Sequence, residues 1–209
     1  MNVKIITFQD KIVKKDIKKY GFSRVPISYS PKVGTGLLFN ADFPFAYSWI
    51  KNEMKSRNKE YSYENLPYWG SYLPDNLDTK ENFEYIKEIF CSPGRELLTL
   101  EIPLSECLFT SFDLFDTYVL RKKFFGSEEE TDSFYLDLSN EFLDKVPDSV
   151  DKIDLSNNFE NLPIDFRNRI VSSLQGTILP FDEKILTKTV LSGDYVQVTF
   201  PEIKKEYLR

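Results

Sequence analysis

The groups able to do chemistry in this chain are acids and amides, and they stand in few places. "SFDLFDTYVL" (111–120) sets Asp113 and Asp116 three residues apart among apolar and aromatic side chains. That spacing puts both carboxylates on one side of a helix. Two uses compete for them: capping and solvating a helix start, or supplying charge to a reacting group. A metal-assisted hydrolase built on the same pair would need further acids converging on it. "SLQGTILP" (173–180) places Gln175 at the entry of a strand, where its amide either closes a loop or points into a cleft. Trp69 lies between Pro67 and Gly70. It either lids a core or stacks on a planar ligand, since tryptophan is partly buried in folds and favoured at recognition surfaces. Trp49 fits a buried helical stripe instead.

The 209 residues contain no histidine and two cysteines, Cys91 and Cys107. Ser-His and Cys-His nucleophile pairs, His-ligated zinc and imidazole bases are thereby excluded. Two thiols also cannot form a four-thiolate zinc site; a reduced pair in a cytoplasmic protein is the expectation. Chemistry falls to carboxylates, amides, hydroxyls, Arg and Lys, and no metal is expected. The single glycine cluster, "VGTG" (33–36), does not follow a strand and lacks the Lys-Ser/Thr ending of a phosphate loop, so it reads as a loop.

The elements that must position these residues are mixed. "VKIITF" (3–8) reads as a strand, and Asp10 starts a charged helix that reaches Tyr20 and stops at Gly21. A helix from Asp42 to about Arg57 carries Ala46, Trp49, Ile50 and Met54 on one face. Residues 58–76 read as a Tyr-, Pro- and Gly-rich loop, and Thr79 can cap the next helix. "ELLTLEIP" (96–103) is the clearest strand, followed by "CLFT" and a helix over "SFDLFDTYVLRKKF". "GSEEETD" (126–132) reads as a solvated helix start, "SFYLDLSNEFLDKV" and "IDFRNRIVSSL" as helices, and 147–163 as irregular. "GTILPF" and "DYVQVTF" close the chain as strands joined by an acidic turn. The expectation is one α+β domain over residues 1–209.

A hydrophobic content of 41% supports a packed core, and a formal charge of −6 argues against a broad basic surface for duplex nucleic acid. No stretch approaches the roughly 20 apolar residues of a membrane span, and the N-terminus does not read as a secretory signal.

Four segments in order carry a resemblance: "IITFQ", "FAYSWIKNEM" with "LPYWGSY", "LLTLEIPLSECLFTSFDLFDTYVL", and "LQGTILPFDEKI". Together they resemble an uncharacterised bacterial family, domain of unknown function 3841. Ile6 stands where that family has Trp, Ser71 stands where its second loop Trp falls, and Thr110 and Ser111 replace its Ser-Asp step. More distantly, the layout resembles that of ADP-ribosyltransferases and RNA 2′-phosphotransferases. That resemblance implies NAD as substrate, Thr7 and Gln9 contacting it, and Trp69 and Tyr72 stacking on a ring. It also puts Gln175 where the superfamily carries Glu. An amide can bond a ribose hydroxyl but cannot supply negative charge, which Asp113 would then provide. The acceptor would be nucleic acid or protein, as in a toxin or phage-defence effector. The competing expectation is a non-catalytic regulator or a module bound to an antitoxin-like partner.

Overall fold

The computed structural model describes residues 1–26, 43–57, 65–72, 83–84, 86–88, 91, 93–142, 159–192 and 195–209. The expected glycine loop at 31–36, the caps at Asp42 and Thr79, and most of 147–163 lie outside the described residues.

Period-two alternation builds the first element. β1 (Asn2–Asp10) puts Val3, Ile5 and Thr7 on one face and Ile6 and Phe8 on the other. It pairs along its whole length with β6 (Arg95–Pro103), antiparallel, from Asn2↔Pro103 to Asp10↔Arg95. Asp10 then caps α1 (Lys11–Tyr20) by accepting from the Ile12 amide at 2.9 Å. Gly21 ends the helix at φ 85°, a left-handed conformation that favours glycine, and its amide donates to the Ile17 carbonyl at 3.0 Å.

The main sheet has six strands in the order β6-β1-β5-β9-β7-β8. β5 is Tyr68–Tyr72, β7 Leu108–Ser111, β8 Ile178–Leu179 and β9 Val196–Phe200. β1 pairs antiparallel with β5 and β6, and β9 with β5 and β7. Two short ribbons join β2 (Phe22–Ser23) to β10 (Ile203–Lys204), and β3 (Val25–Pro26) to β4 (Asn65–Leu66). With α2 (Phe43–Arg57), α3 (Glu128–Phe142), α4 (Ile164–Ser173) and α5 (Glu183–Leu191), the architecture is α+β, as the sequence indicates. None of the described helices is long and apolar enough to cross a membrane.

Contacts divide the chain into two compact units. The first comprises Met1–Ser30, Tyr47–Phe112 and Leu179–Arg209. Its core lies on one sheet face, where Ile5, Leu100, Val198 and Phe200 meet Val13 and Ile17 of α1 and Leu186 of α5. Gly70 belongs to this face because β5 runs close to β1: a Cβ there would stand 2.5 Å from Ile5 Cγ2 and 2.9 Å from the Ile6 carbonyl. The last residues lie along edge strand β6, where Leu208 bridges Leu100 and the Arg209 amide donates to the Thr99 carbonyl at 3.1 Å. Arg209 also pairs with Glu101, and Tyr207 donates to Glu106 at 2.7 Å.

The second unit comprises Pro31–Ala46 and Asp113–Ile178. The acidic run does start a helix. Ser127 and Glu130 bond reciprocally through side chain and backbone, at 2.8 and 3.3 Å, as a capping box that opens α3. Phe134 and Leu138 of α3 pack with Phe166 and Ile170 of α4.

Three expectations are corrected. The 58–76 region is not all loop, because Trp69 and Tyr72 lie in β5, in the interior of the sheet. The turn expected between the closing strands holds α5, whose start Asp182 caps by accepting from the Lys184 and Ile185 amides. The expected helix from Ser111 is one helical turn, Phe112–Leu114, followed by a π-helical segment, Phe115–Val119. Its signature is the five-residue bonds from the Leu120 amide to the Phe115 carbonyl, 3.0 Å, and from Lys123 to Tyr118, 2.9 Å.

Candidate functional site

In the first unit, three of the expected contact residues are linked. The Gln9 amide Nε2 donates to Thr7 Oγ1 at 2.6 Å, and Thr7 Oγ1 donates to the Trp69 carbonyl at 2.6 Å. A backbone carbonyl only accepts, so the direction of this chain is forced. The Thr7 proton goes to Trp69, the Thr7 oxygen takes a proton from Gln9, and Gln9 Oε1 is turned away as an acceptor. Thr7 is 2% exposed. It fixes the position of β5 and the orientation of Gln9 instead of meeting a ligand itself.

The strand pairing decides where the side chains go. Tyr72 stands opposite Ile5 and belongs to the apolar core, edge-on to Phe109 with ring centroids 6.0 Å apart. Trp69, odd-numbered on the same strand, projects to the other face with Ser71. Thr7 and Gln9 alternate with Ile6 and Phe8, so they share the core face with Ile5. The Trp69 ring and the Gln9 amide therefore leave the sheet on opposite faces. Tyr47 of α2 meets Trp69 edge-on at 5.7 Å, a favourable aromatic geometry.

On the Trp69 face the register lines up polar side chains that no sequence motif signals. Thr99 pairs with Ile6, Ile6 with Ser71, Ser71 with Gln197, and Gln197 with Thr110. The neighbouring row is Trp69, Thr199 and Leu108. Ser71 is 5% exposed, and Thr110 and Thr199 are fully buried. Thr110 Oγ1 donates to Gln197 Oε1 at 3.4 Å, and Thr199 Oγ1 to the Leu108 carbonyl at 3.5 Å. These are long bonds for hydroxyl donors. The available signal was the alternation of "YVQVTF", in which Gln197 and Thr199 fall on the face opposite Val196, Val198 and Phe200.

The core face holds the perturbed titrating groups. Burial, foremost, pushes Tyr68 up to about 12, against a hydrogen bond with Ser23 at 2.7 Å that acts the other way. Burial does the same for Tyr207, also to about 12. The Lys204 ammonium is held above its ordinary range, first by its hydrogen bond with Tyr207. Neither Cys91 nor Cys107 is in a disulfide, and burial pushes the Cys107 thiol up.

The second unit holds the other expected residues. Asp113 is exposed and sits within the first turn of the 112–114 helix, where a carboxylate suits the helix dipole. Asp116 is partly buried and pairs with Arg121 at 3.3 Å. Gln175 is exposed in the 3-10 turn Leu174–Thr177, which packs against the π segment. Just beyond that segment, Lys122 adopts φ 51°, the one non-glycine residue at positive φ among those described. It is 3% exposed, its ammonium 4.9 Å from the Phe159 ring centroid and 5.4 Å from that of Phe45. Among the described residues, no three acid or thiol side chains gather as a metal site.

No curated protein and no solved structure matches the chain. The family model described as "Domain of unknown function (DUF3841)" matches residues 4–208, almost the whole sequence, and the chain belongs to that family.

Proposed function

We propose that the protein binds NAD and transfers its ADP-ribose to a nucleic acid or protein acceptor, as a toxin or phage-defence effector would. The observation that carries the reading is the bonded chain from Gln9 through Thr7 to the Trp69 backbone. It ties an oriented amide to the strand that bears the tryptophan. In this reading Trp69 touches the dinucleotide from its face of the sheet, and Thr7, bonded to Gln9, fixes the strand that bears it. The step is one of charge development. The bond from ribose C1′ to the nicotinamide nitrogen breaks, its electron pair neutralises the ring, and an acceptor nucleophile bonds C1′ and releases a proton. Carboxylates and amide oxygens stabilise the positive ribose in such a step, and no imidazole is required.

The test is incubation of the purified protein with NAD labelled in its adenylate half, with and without cell extract. Label transfer or nicotinamide release is expected. Trp69→Ala weakens NAD binding. No NAD binding, no transfer and no cleavage would reject the proposal.

A second reading, a non-catalytic interaction module, draws on the exposed apolar side chains Leu136 of α3 and Ile164 of α4. Stable capture of one partner through these residues, without NAD turnover, would favour it.

A further inference from the structure

From the polar row on the Trp69 face, we infer that Ser71 and Gln197, beside Trp69, form a seat for a planar aromatic carboxamide. The inference rests on the NAD reading and names the end of the dinucleotide that this face takes: the nicotinamide ring.

The argument starts from strand register. Gln197 lies between Ser71 on β5 and Thr110 on β7, paired with both. Side chains so paired stand roughly 5 Å apart at Cβ. The Thr110 hydroxyl is fully buried and directs its proton at Gln197 Oε1, 3.4 Å away. With its oxygen on the β7 side, the amide turns Nε2 toward β5, where Ser71 stands. Gln197 is itself only partly buried, whereas Thr110 and Ser71 on either side of it are buried.

Trp69 shares this face two residues from Ser71, roughly 7 Å along the strand. Its ring is partly exposed and braced edge-on by Tyr47 at 5.7 Å. A donor, Gln197 Nε2, and an acceptor, Ser71 Oγ, at one end and an indole at the other suit a flat ring with an amide substituent. The ring lies against Trp69, the carboxamide oxygen accepts from Gln197 Nε2, and the carboxamide nitrogen donates to Ser71 Oγ. The opposite face of the same strands, lined by Tyr68, Tyr72, Val198 and Phe200, offers no such set because it is closed by the core.

The experiment is side-chain amide NMR of the full chain labelled with nitrogen-15, with the Gln197 signals assigned by their loss in Gln197→Leu. Nicotinamide and NAD should both move the Gln197 signals, and ADP-ribose, which lacks the ring, should not. NAD affinity should fall about tenfold in Gln197→Leu and a few-fold in Ser71→Ala. If NAD binds or is cleaved while the Gln197 signals stay still, the seat is elsewhere and the proposed function stands without it. If ADP-ribose moves them as much as NAD does, the ring does not occupy the seat. If neither nicotinamide nor NAD binds the wild-type chain, the seat and the proposed function fall together. The ligand shifts are read on the wild-type protein, and if the leucine variant does not fold, loss of the same signals in Gln197→Glu supplies the assignment.

Discussion

The two faces of the six-stranded sheet are made by the same strands and carry opposite chemistry. On one, Ile5, Leu100, Val198 and Phe200 close against α1 and α5. On the other, Ser71, Gln197, Thr110 and Thr199 stand among Trp69 and Tyr47. Burial does not distinguish them, because Thr110 and Thr199 are as buried as Phe200. The difference is what burial achieves. Removing apolar area from water stabilises a fold directly. Burying a hydroxyl costs free energy unless it is hydrogen-bonded, so a buried polar face adds little to stability and keeps polar groups oriented. The first face carries the main apolar core; the second sets its polar row beside Ile6 and Phe8, which pack with Ile86 in a smaller apolar cluster.

Substitutions can break that comparison. The largest effect is expected from Phe200→Ala on the closed face, about 3–5 kcal/mol of unfolding free energy in a denaturant titration. A loss below about 1 kcal/mol would show that this face is not the core. Gly70→Ala should come next, at about 1–3 kcal/mol, because its methyl meets the Ile5 side chain and the rigid Ile6 carbonyl. Thr7→Val should cost about 1–3 kcal/mol by leaving the Trp69 carbonyl without its donor.

A pH titration sharpens the comparison further. Tyr68 and Tyr207 both titrate near 12 in the fold, against an ordinary value of 10.0. A raised folded value means that the stability they add is complete below about pH 10 and is lost as pH rises through about 12. Stability should therefore decline across that window, and the Tyr68→Phe, Tyr207→Phe double variant should flatten the decline. An unchanged slope would remove these tyrosines from the account. The smallest stability effect belongs to the polar face: Thr110→Val should change unfolding by about 1 kcal/mol or less while weakening NAD binding. Equal stability losses on the two faces, or a Thr110→Val variant with intact NAD affinity, would erase the distinction.

Much of the first unit was legible from local chemistry. β1, β6, the Asp10 cap and the Gly21 stop follow from residue types within one or two turns. β5 was hidden because Pro67 and Gly70 read as loop punctuation, whereas Gly70 is there to let two strands approach. α5 was hidden because nine residues after an acidic cap resemble a long turn. The Asp113 question was half answered by sequence: the helical turn was foreseen, its change into a π segment was not, since that depends on five-residue bonds that no residue pattern announces. The polar row depends on register among three strands far apart in sequence. Gln197 and Thr110 become neighbours only once β9 lies between β5 and β7.

The π segment from Phe115 to Val119 also sets a phase. An α-helix turns about 100° per residue, so a winding that takes in one extra residue rotates everything after it by about that angle relative to an uninterrupted helix. The turn that follows, with Lys122 at φ 51°, starts from that phase and sets Lys122 against Phe45 and Phe159, while Arg121 reaches Asp116. A homologue one residue shorter in this stretch would present a different side chain to that aromatic pair.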